Sequence, residues 1–277
     1  FKIINMCFAL LFTAALFTAC STDEPEYWWD TEDTENQEPE TPNTPENPEV
    51  KKAKPRYIWI DAAANFVEFA NSKNNIARDL KKAADVGFTD IVVDVRNSMG
   101  DVLFNTSVVD QATKLPTWEG GYHYHERTES WDYLQAFIDA GHELGLKVHA
   151  AINTFTGGCI HPYGLGSQGL VFRDSSKKDW VTTLYLNGTL VNAMDTNDES
   201  YSTKFFNPAN DEVQEFLCNM LKDLAKYNLD GIFLDRCRYN DQYADFSDIS
   251  KKKFENYLGY SISNFPKCIE SEYQKQW

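Results

Sequence analysis

The chain has 277 residues, 42% of them hydrophobic, a formal net charge of −16 and six cysteines. That length and apolar content suit one large folded unit with a sizeable core. Eleven acidic residues and no Lys or Arg fall within 21–50, so the remainder is only mildly acidic and offers no basic stripe for nucleic acid.

The amino-terminal end has the layout of an export signal. Lys2 is a small basic flank, and 3–16 form an apolar run too short to span a bilayer. Phe17-Thr18-Ala19-Cys20 then resembles a bacterial lipobox, with Cys20 as the lipidated residue. Phe17 stands where Leu, Val or Ile is usual. An ordinary cleaved signal without lipid is the alternative, and either reading takes the protein out of the cytoplasm. Residues 1–20 are thus read as a lipoprotein signal peptide, and 21–54 as a linker rich in Asp, Glu, Thr, Asn and Pro that stays extended and solvated. Its acidic start after Cys20 resembles the surface-export flank of Bacteroides-type lipoproteins. The expected location is the outer membrane and the cell surface, with membrane contact only through the lipid; a plain tether is the simpler alternative.

The folded unit is expected over 55–277. Residues 57–61 form a first strand candidate, and Ile76, Leu80, Ala83 and Ala84 follow at helical spacing, with Gly87 at the stop. Residues 91–95 are a β-branched run typical of a buried parallel strand. After a long connection over 97–130, Tyr133, Leu134, Phe137, Ile138 and Leu144 line a second helix, and 147–152 form the third strand. A second long connection, 153–206, contains a hairpin over 183–191 turning at Asn187-Gly188. A third helix over 209–227 leads to the fourth strand, 231–235, and 247–258 reads as helical.

Four strands alternating with helices predict an α/β fold, the first half of a (β/α)8 TIM-type barrel. The sequence opens at Phe1 without an initiator Met and stops at Trp277 just past the fourth unit. A fragment truncated at its C-terminus is therefore expected; a smaller open sheet is the alternative. The loops after the strands are the long ones, and in a barrel those loops carry the site.

Each strand ends in a polar residue: Asp61, Asp94 followed by Arg96, Asn153, and Asp235 followed by Arg236, Arg238 and Tyr239. A carboxylate fixed at a strand end beside guanidinium groups suits the breaking of glycosidic bonds, which requires one carboxylate at the anomeric carbon and a second acid for the leaving oxygen. A structural Asp–Arg pair closing the barrel mouth is the simpler reading of Asp235. Asp94 and Arg96 are expected to share a strand face and bind hydroxyl groups, with an internal salt bridge as the alternative. His123-Tyr124-His125 has the His-x-His spacing of metal-dependent barrels, but it sits in a Gly-flanked loop without the strand that would aim both rings at one ion. Trp118, Tyr122, Tyr124 and Trp131 near it are candidates for a sugar-stacking wall or for loop anchors. Gly157-Gly158 and 164–169 are not a phosphate loop, and no nucleophile elbow occurs. They read as flexible loop, and no cofactor is expected. Cys159, Cys218, Cys237 and Cys268 lack metal or redox spacing, and no disulfide is assigned.

Five segments together resemble the family 10 glycosyl hydrolase-like lipoproteins, a barrel family distantly similar to the α-amylases. They are 57–62, 93–101, 140–153, Asn207-Pro208 and 230–235 with Arg238-Tyr239. The resemblance covers roughly 55–277 and implies a secreted hydrolase acting on a polysaccharide or oligosaccharide. It implies Asp235 as the nucleophile, with Asp61, Asp94, Arg96, Asn153, Arg238 and Tyr239 lining the sugar site. The amylase pattern has Arg two residues before that Asp. Phe233 stands there, leaving Arg236 or Arg238 to supply the positive charge. The general acid is expected beyond residue 277. A glycan-binding lipoprotein without catalysis, using the same cleft, is the main rival, and a metal-dependent deacetylase or amidohydrolase is the third reading.

Overall fold

The structure is a computed structural model that describes residues 54–117, 121–161 and 164–277. The signal segment, Cys20, the linker up to residue 53 and Trp118 lie outside the described residues. The chain divides into two units, Phe1–Lys54 and Pro55–Trp277, and every element below belongs to the second.

Strand β1 (Tyr57–Ile60) is followed by the short helix α1 (Phe66–Phe69) and by α2 (Lys73–Asp85). Ser72 caps α2, its side chain accepting from the Asn75 amide at 3.2 Å. Ile76, Leu80 and Ala83 recur along one face of α2 and are buried. Next come β2 (Asp90–Arg96), a hairpin of β3 (Lys114–Thr117) with β4 (His123–Glu126), and helix α3 (Tyr133–Glu143). Asp132 caps α3 by accepting from the Gln135 amide at 3.1 Å. β5 (Lys147–Asn153) runs directly into β6 (Thr156–His161), β7 (Gly166–Gln168) and the short α4 (Leu170–Arg173). The hairpin of β8 (Thr183–Leu186) and β9 (Thr189–Asn192) turns at Asn187-Gly188, both with positive φ (51° and 81°). β10 (Thr203–Phe205) precedes α5 (Asp211–Leu224), β11 (Gly231–Asp235) and α6 (Asp248–Leu258).

The central sheet is parallel, in the order β1-β2-β5-β11. Each new strand adds on the same side, with no reversal of direction across the sheet. Ile58, Ile60, Ile91, Val93, Val95, Val148, Ala150 and Ile152 point to one face and join the core with Leu80, Leu134, Phe137, Val213, Leu217 and Met220 from the helices. The other face carries Tyr57, Trp59, Val92, His149, Ala151 and Phe233, as the two-residue period requires.

The sheet is strongly curled. Three interstrand spacings would hold the outer strands of a flat sheet about 14 Å apart. Yet Tyr57 on β1 and Phe233 on β11 have ring centroids 5.9 Å apart. Phe233 also meets Trp59 and His149, each at 5.6 Å. Below these rings, His149 Nε2 lies 2.8 Å from Asp90 Oδ1, both side chains buried. Gly231 makes room for this pair, because a Cβ there would lie 2.6 Å from His149 Nδ1.

Two local expectations are corrected. His123-Tyr124-His125 lies in a strand, β4, not a loop; the His125 ring packs edge-on against Phe66 and the His123 Nδ1 lies 2.8 Å from the Gly121 carbonyl. Among the described residues no group of three or more His, Cys, Asp or Glu could hold a metal ion. Gly157-Gly158 also belongs to a strand, β6, flanked by β7 and β10 in a three-stranded antiparallel sheet. These glycines are packing positions: a Cβ on Gly157 would lie 2.6 Å from the Phe206 ring, and one on Gly158 2.6 Å from the Gln168 carbonyl. Cys159, Cys237 and Cys268 are free thiols. Among the described residues no helix is long and apolar enough to cross a membrane.

Candidate functional site at the strand ends

The curl carries the carboxyl ends of all four parallel strands to one pocket. Its cavity is about 120 Å³, lined by Trp59 and Asp61 after β1, Asp94 on β2, Ala151 and Asn153 on β5, and Asp235 with Arg236 at the end of β11. Asn97, Ser98 and Ala63 close one wall. The pairing explains the convergence. Asp94 stands opposite Ala151 and Asp235 opposite Asn153, so their side chains leave the sheet on its concave face.

Asp94 is the buried carboxyl group of this pocket, with 6% of its surface exposed, whereas Asp61 and Asp235 are exposed. Its Oδ1 accepts from the Arg96 amide at 3.2 Å and its Oδ2 from the Ala62 amide at 3.5 Å. Burial, then the nearby Asp61 and more weakly Asp235, push its pKa up to about 7 against those two bonds. Asp94 therefore keeps its proton well above the pH at which an ordinary aspartate releases it, and gives it up near pH 7. Asp235 is exposed, and its Oδ1 accepts from the Arg236 amide at 2.7 Å. Asp61 Oδ1 accepts from the Ala64 amide at 2.7 Å, shaping the turn after β1.

Arg96 departs from its expected role. A register shift between Asp94 and Arg96 sets Arg96 against Ile152 rather than Asn153. The extra residue, Val95, reverses the alternation, so Arg96 turns away from the face that carries Asp94. The guanidinium is buried. It donates to the Asn153 carbonyl, to the Thr156 carbonyl at 2.5 Å and to Thr156 Oγ1 at 3.1 Å. Asn153 Nδ2 returns a bond to the Arg96 carbonyl at 2.8 Å. Arg96 thus clamps the β5–β6 turn that positions Asn153, and it is absent from the pocket wall.

Arg238 and Tyr239 are exposed and are absent from the pocket wall; Arg238 Nη1 donates to the Tyr239 and Asn240 carbonyls at 3.2 and 3.1 Å. Arg236, with φ of 46°, is the arginine that lines the pocket. Trp131 anchors a loop instead of walling the site: it stacks on Tyr133, and its Nε1 donates to Glu129. Tyr124 donates to the Leu165 carbonyl at 2.7 Å. Sequence reasoning missed Trp59 and Ser98. Trp59 was open to discovery, since it lies two residues before Asp61 and shares its face.

A parallel α/β sheet whose successive strand ends carry polar groups, three of them carboxyls, into one pocket has the layout of a ligand-binding or catalytic site. Residues 54–270 match the glycosyl hydrolase-like 10 family, and the chain belongs to that family. An S-layer-related protein of Niallia circulans is 34% identical over 221 residues, which make up 76% of this chain but 13% of that relative's length. Among solved structures, α-L-fucosidase isoenzyme 2 from Paenibacillus thiaminolyticus aligns with a TM-score of 0.47 at 19% identity, over 79% of this chain and 28% of its own. A hypothetical protein from Ruminiclostridium thermocellum aligns with a TM-score of 0.43 at 16% identity, over 76% and 93%. An α-amylase from Lactobacillus plantarum gives 0.41 at 16%, over 79% and 48%.

Proposed function

We propose that this protein hydrolyses O-glycosidic bonds of a polysaccharide, with Asp235 as nucleophile or electrostatic stabiliser. The observation that carries this reading is the convergence of Asp61, Asp94, Asn153 and Asp235 from four parallel strands on one pocket, in a glycosyl hydrolase-like chain. The central sheet is read as part of a (β/α)8 barrel, supported by its order without reversal and by its curl. Export and anchoring through Cys20 at the outer-membrane surface belong to the same proposal, resting on the sequence of 1–20.

The chemistry assigns each group a task. A sugar seated with its ring over Trp59 presents its anomeric carbon to the Asp235 carboxylate. As the carbon–oxygen bond breaks, the departing oxygen takes a proton from an acid, and water completes hydrolysis. Among the described pocket residues Asp94 is the group supported as that acid, because it keeps its proton up to about pH 7. Asn153 and Asp61 hold hydroxyl groups, and Arg236 supplies positive charge beside Asp235.

The rival, glycan capture without cleavage, is favoured by Trp59, a ring 47% exposed beside polar groups in the manner of a sugar-binding platform. The intact protein and its Asp235→Asn variant, incubated with a panel of polysaccharides, separate the two. Hydrolysis predicts reducing ends from the wild type and a loss of at least about a hundredfold in the variant. Equal release from both removes Asp235 from the chemistry, and tight binding without product from either supports capture.

A further inference from the structure

Consecutive residues of a strand point to opposite faces, so regular alternation would send Arg236 away from the pocket that Asp235 enters. Both residues line it. The reversal is made at Arg236 itself, whose φ of 46° is a left-handed conformation that residues other than glycine rarely adopt. The turn brings the side chain to the pocket without pairing it to a carboxylate. Asp235 accepts from the Arg236 backbone amide, and among the described residues the guanidinium forms no hydrogen bond or ion pair. Arg78, Arg96, Arg127, Arg173 and Arg238, by contrast, all bond to carboxylates or carbonyls.

A second cavity of about 190 Å³ adjoins this pocket and shares Ala63, Asn97 and Ser98 with it. The two differ in charge. Asp61, Asp94 and Asp235 line the first, whereas among the described residues no carboxyl group lines the second. The Arg236 charge is felt there. Burial pushes up the pKa of the Cys159 thiol on the wall of that cavity, and the Thr203 hydroxyl and then Arg236 act against the rise. Ser98 stands at the junction, half-buried, and its hydroxyl makes no hydrogen bond among the described residues. An unpaired guanidinium and a hydroxyl donor beside a space without carboxylates form a receptor for an oxyanion.

We propose that the sugar bound at Asp94 and Asp235 carries an anionic substituent, a carboxylate or a sulfate ester, held by Arg236 and Ser98. The substrate is then an acidic polysaccharide. The inference rests on the carbohydrate reading above and adds the substrate class to it. The guanidinium fork offers two parallel N–H donors to such a group.

Calorimetry on the intact protein tests this with oligouronates of the gluco and galacto series, the matching neutral sugars and their sulfate esters. The wild type is expected to bind one acidic series about ten- to a hundredfold more tightly than its neutral match, the worth of a charge-assisted hydrogen bond. Which of the two acidic series is preferred identifies the anion. Arg236→Gln is expected to erase the preference, and Arg236→Lys to recover part of it, since the charge returns without the fork. Ser98→Ala is expected to reduce it about threefold. Equal affinity of the wild type for acidic and neutral sugars, or a preference that Arg236→Gln keeps in full, overturns the anion site and leaves the carboxyl-pocket reading standing. Failure of the wild type to bind any of these sugars overturns both.

Discussion

Asp94→Asn measures the electrostatics of the pocket directly. An aspartate with an ordinary pKa of 3.8 is held at about 7 in the folded chain. The native state thus keeps a proton that the unfolded chain releases, and its stability from this group is complete below pH 4 and lost as pH rises through 7. That interval corresponds to a penalty on the order of 4 kcal/mol at pH 8, at about 1.4 kcal/mol per pH unit. Asparagine removes the charge but faces two backbone N–H donors with one acceptor, which costs about 1–2 kcal/mol. The variant should therefore be more stable than the wild type at pH 8 by roughly 2–3 kcal/mol, or about 5–10 °C in Tm. At pH 4.5 the advantage should vanish or reverse. Thermal and urea unfolding of both proteins between pH 4.5 and 8.5 reads this out. Parallel pH profiles, or a variant less stable at pH 8, refute the buried, proton-holding Asp94.

The same proton sets the pH dependence of turnover: hydrolysis should fall as pH rises through about 7, where Asp94 ionises, measurable as initial rate against pH. Full activity of Asp94→Asn would place the acid on another residue. Arg96→Met should destabilise the fold by roughly 3–5 kcal/mol, because the carbonyls of Asn153 and Thr156 lose their buried donor; urea midpoints test it, and a cost below 1 kcal/mol would return Arg96 to a ligand role. Gly231→Ala should cost about 1–3 kcal/mol by driving a methyl into His149, which Asp90 prevents from moving aside. Trp59→Ala should leave Tm within a few degrees and weaken sugar binding about tenfold, consistent with a half-exposed ring. Unchanged affinity would take Trp59 out of the site.

The repeating strands and helices were legible because their signals are local. A β-branched run marks β2, a mainly apolar run marks β5, and Ile76, Leu80 and Ala83 mark the buried stripe of α2. Asp61, Asp94, Asn153 and Asp235 could be selected because each ends such a run. Arg96 was misjudged because a strict two-residue period was assumed, and the bulge at Val95 depends on pairing with β5 that no local pattern encodes. β4 was missed since His123-Tyr124-His125 lacks an apolar run and becomes a strand only through its partner β3. The glycines of β6 resembled loop because the Phe206 ring that demands them lies about fifty residues away.

Tyr57 and Phe233 rest against each other beneath the mouth of the site, and together they act as a spacer between the two rims. The gap between Asp61 and Asp235 is consequently governed by ring size one layer below the strand ends. A smaller residue in place of Phe233 would let the rims draw inward, and a larger one would spread them. Ligand girth can therefore be retuned from below, with the carboxyl groups at the strand ends left in place.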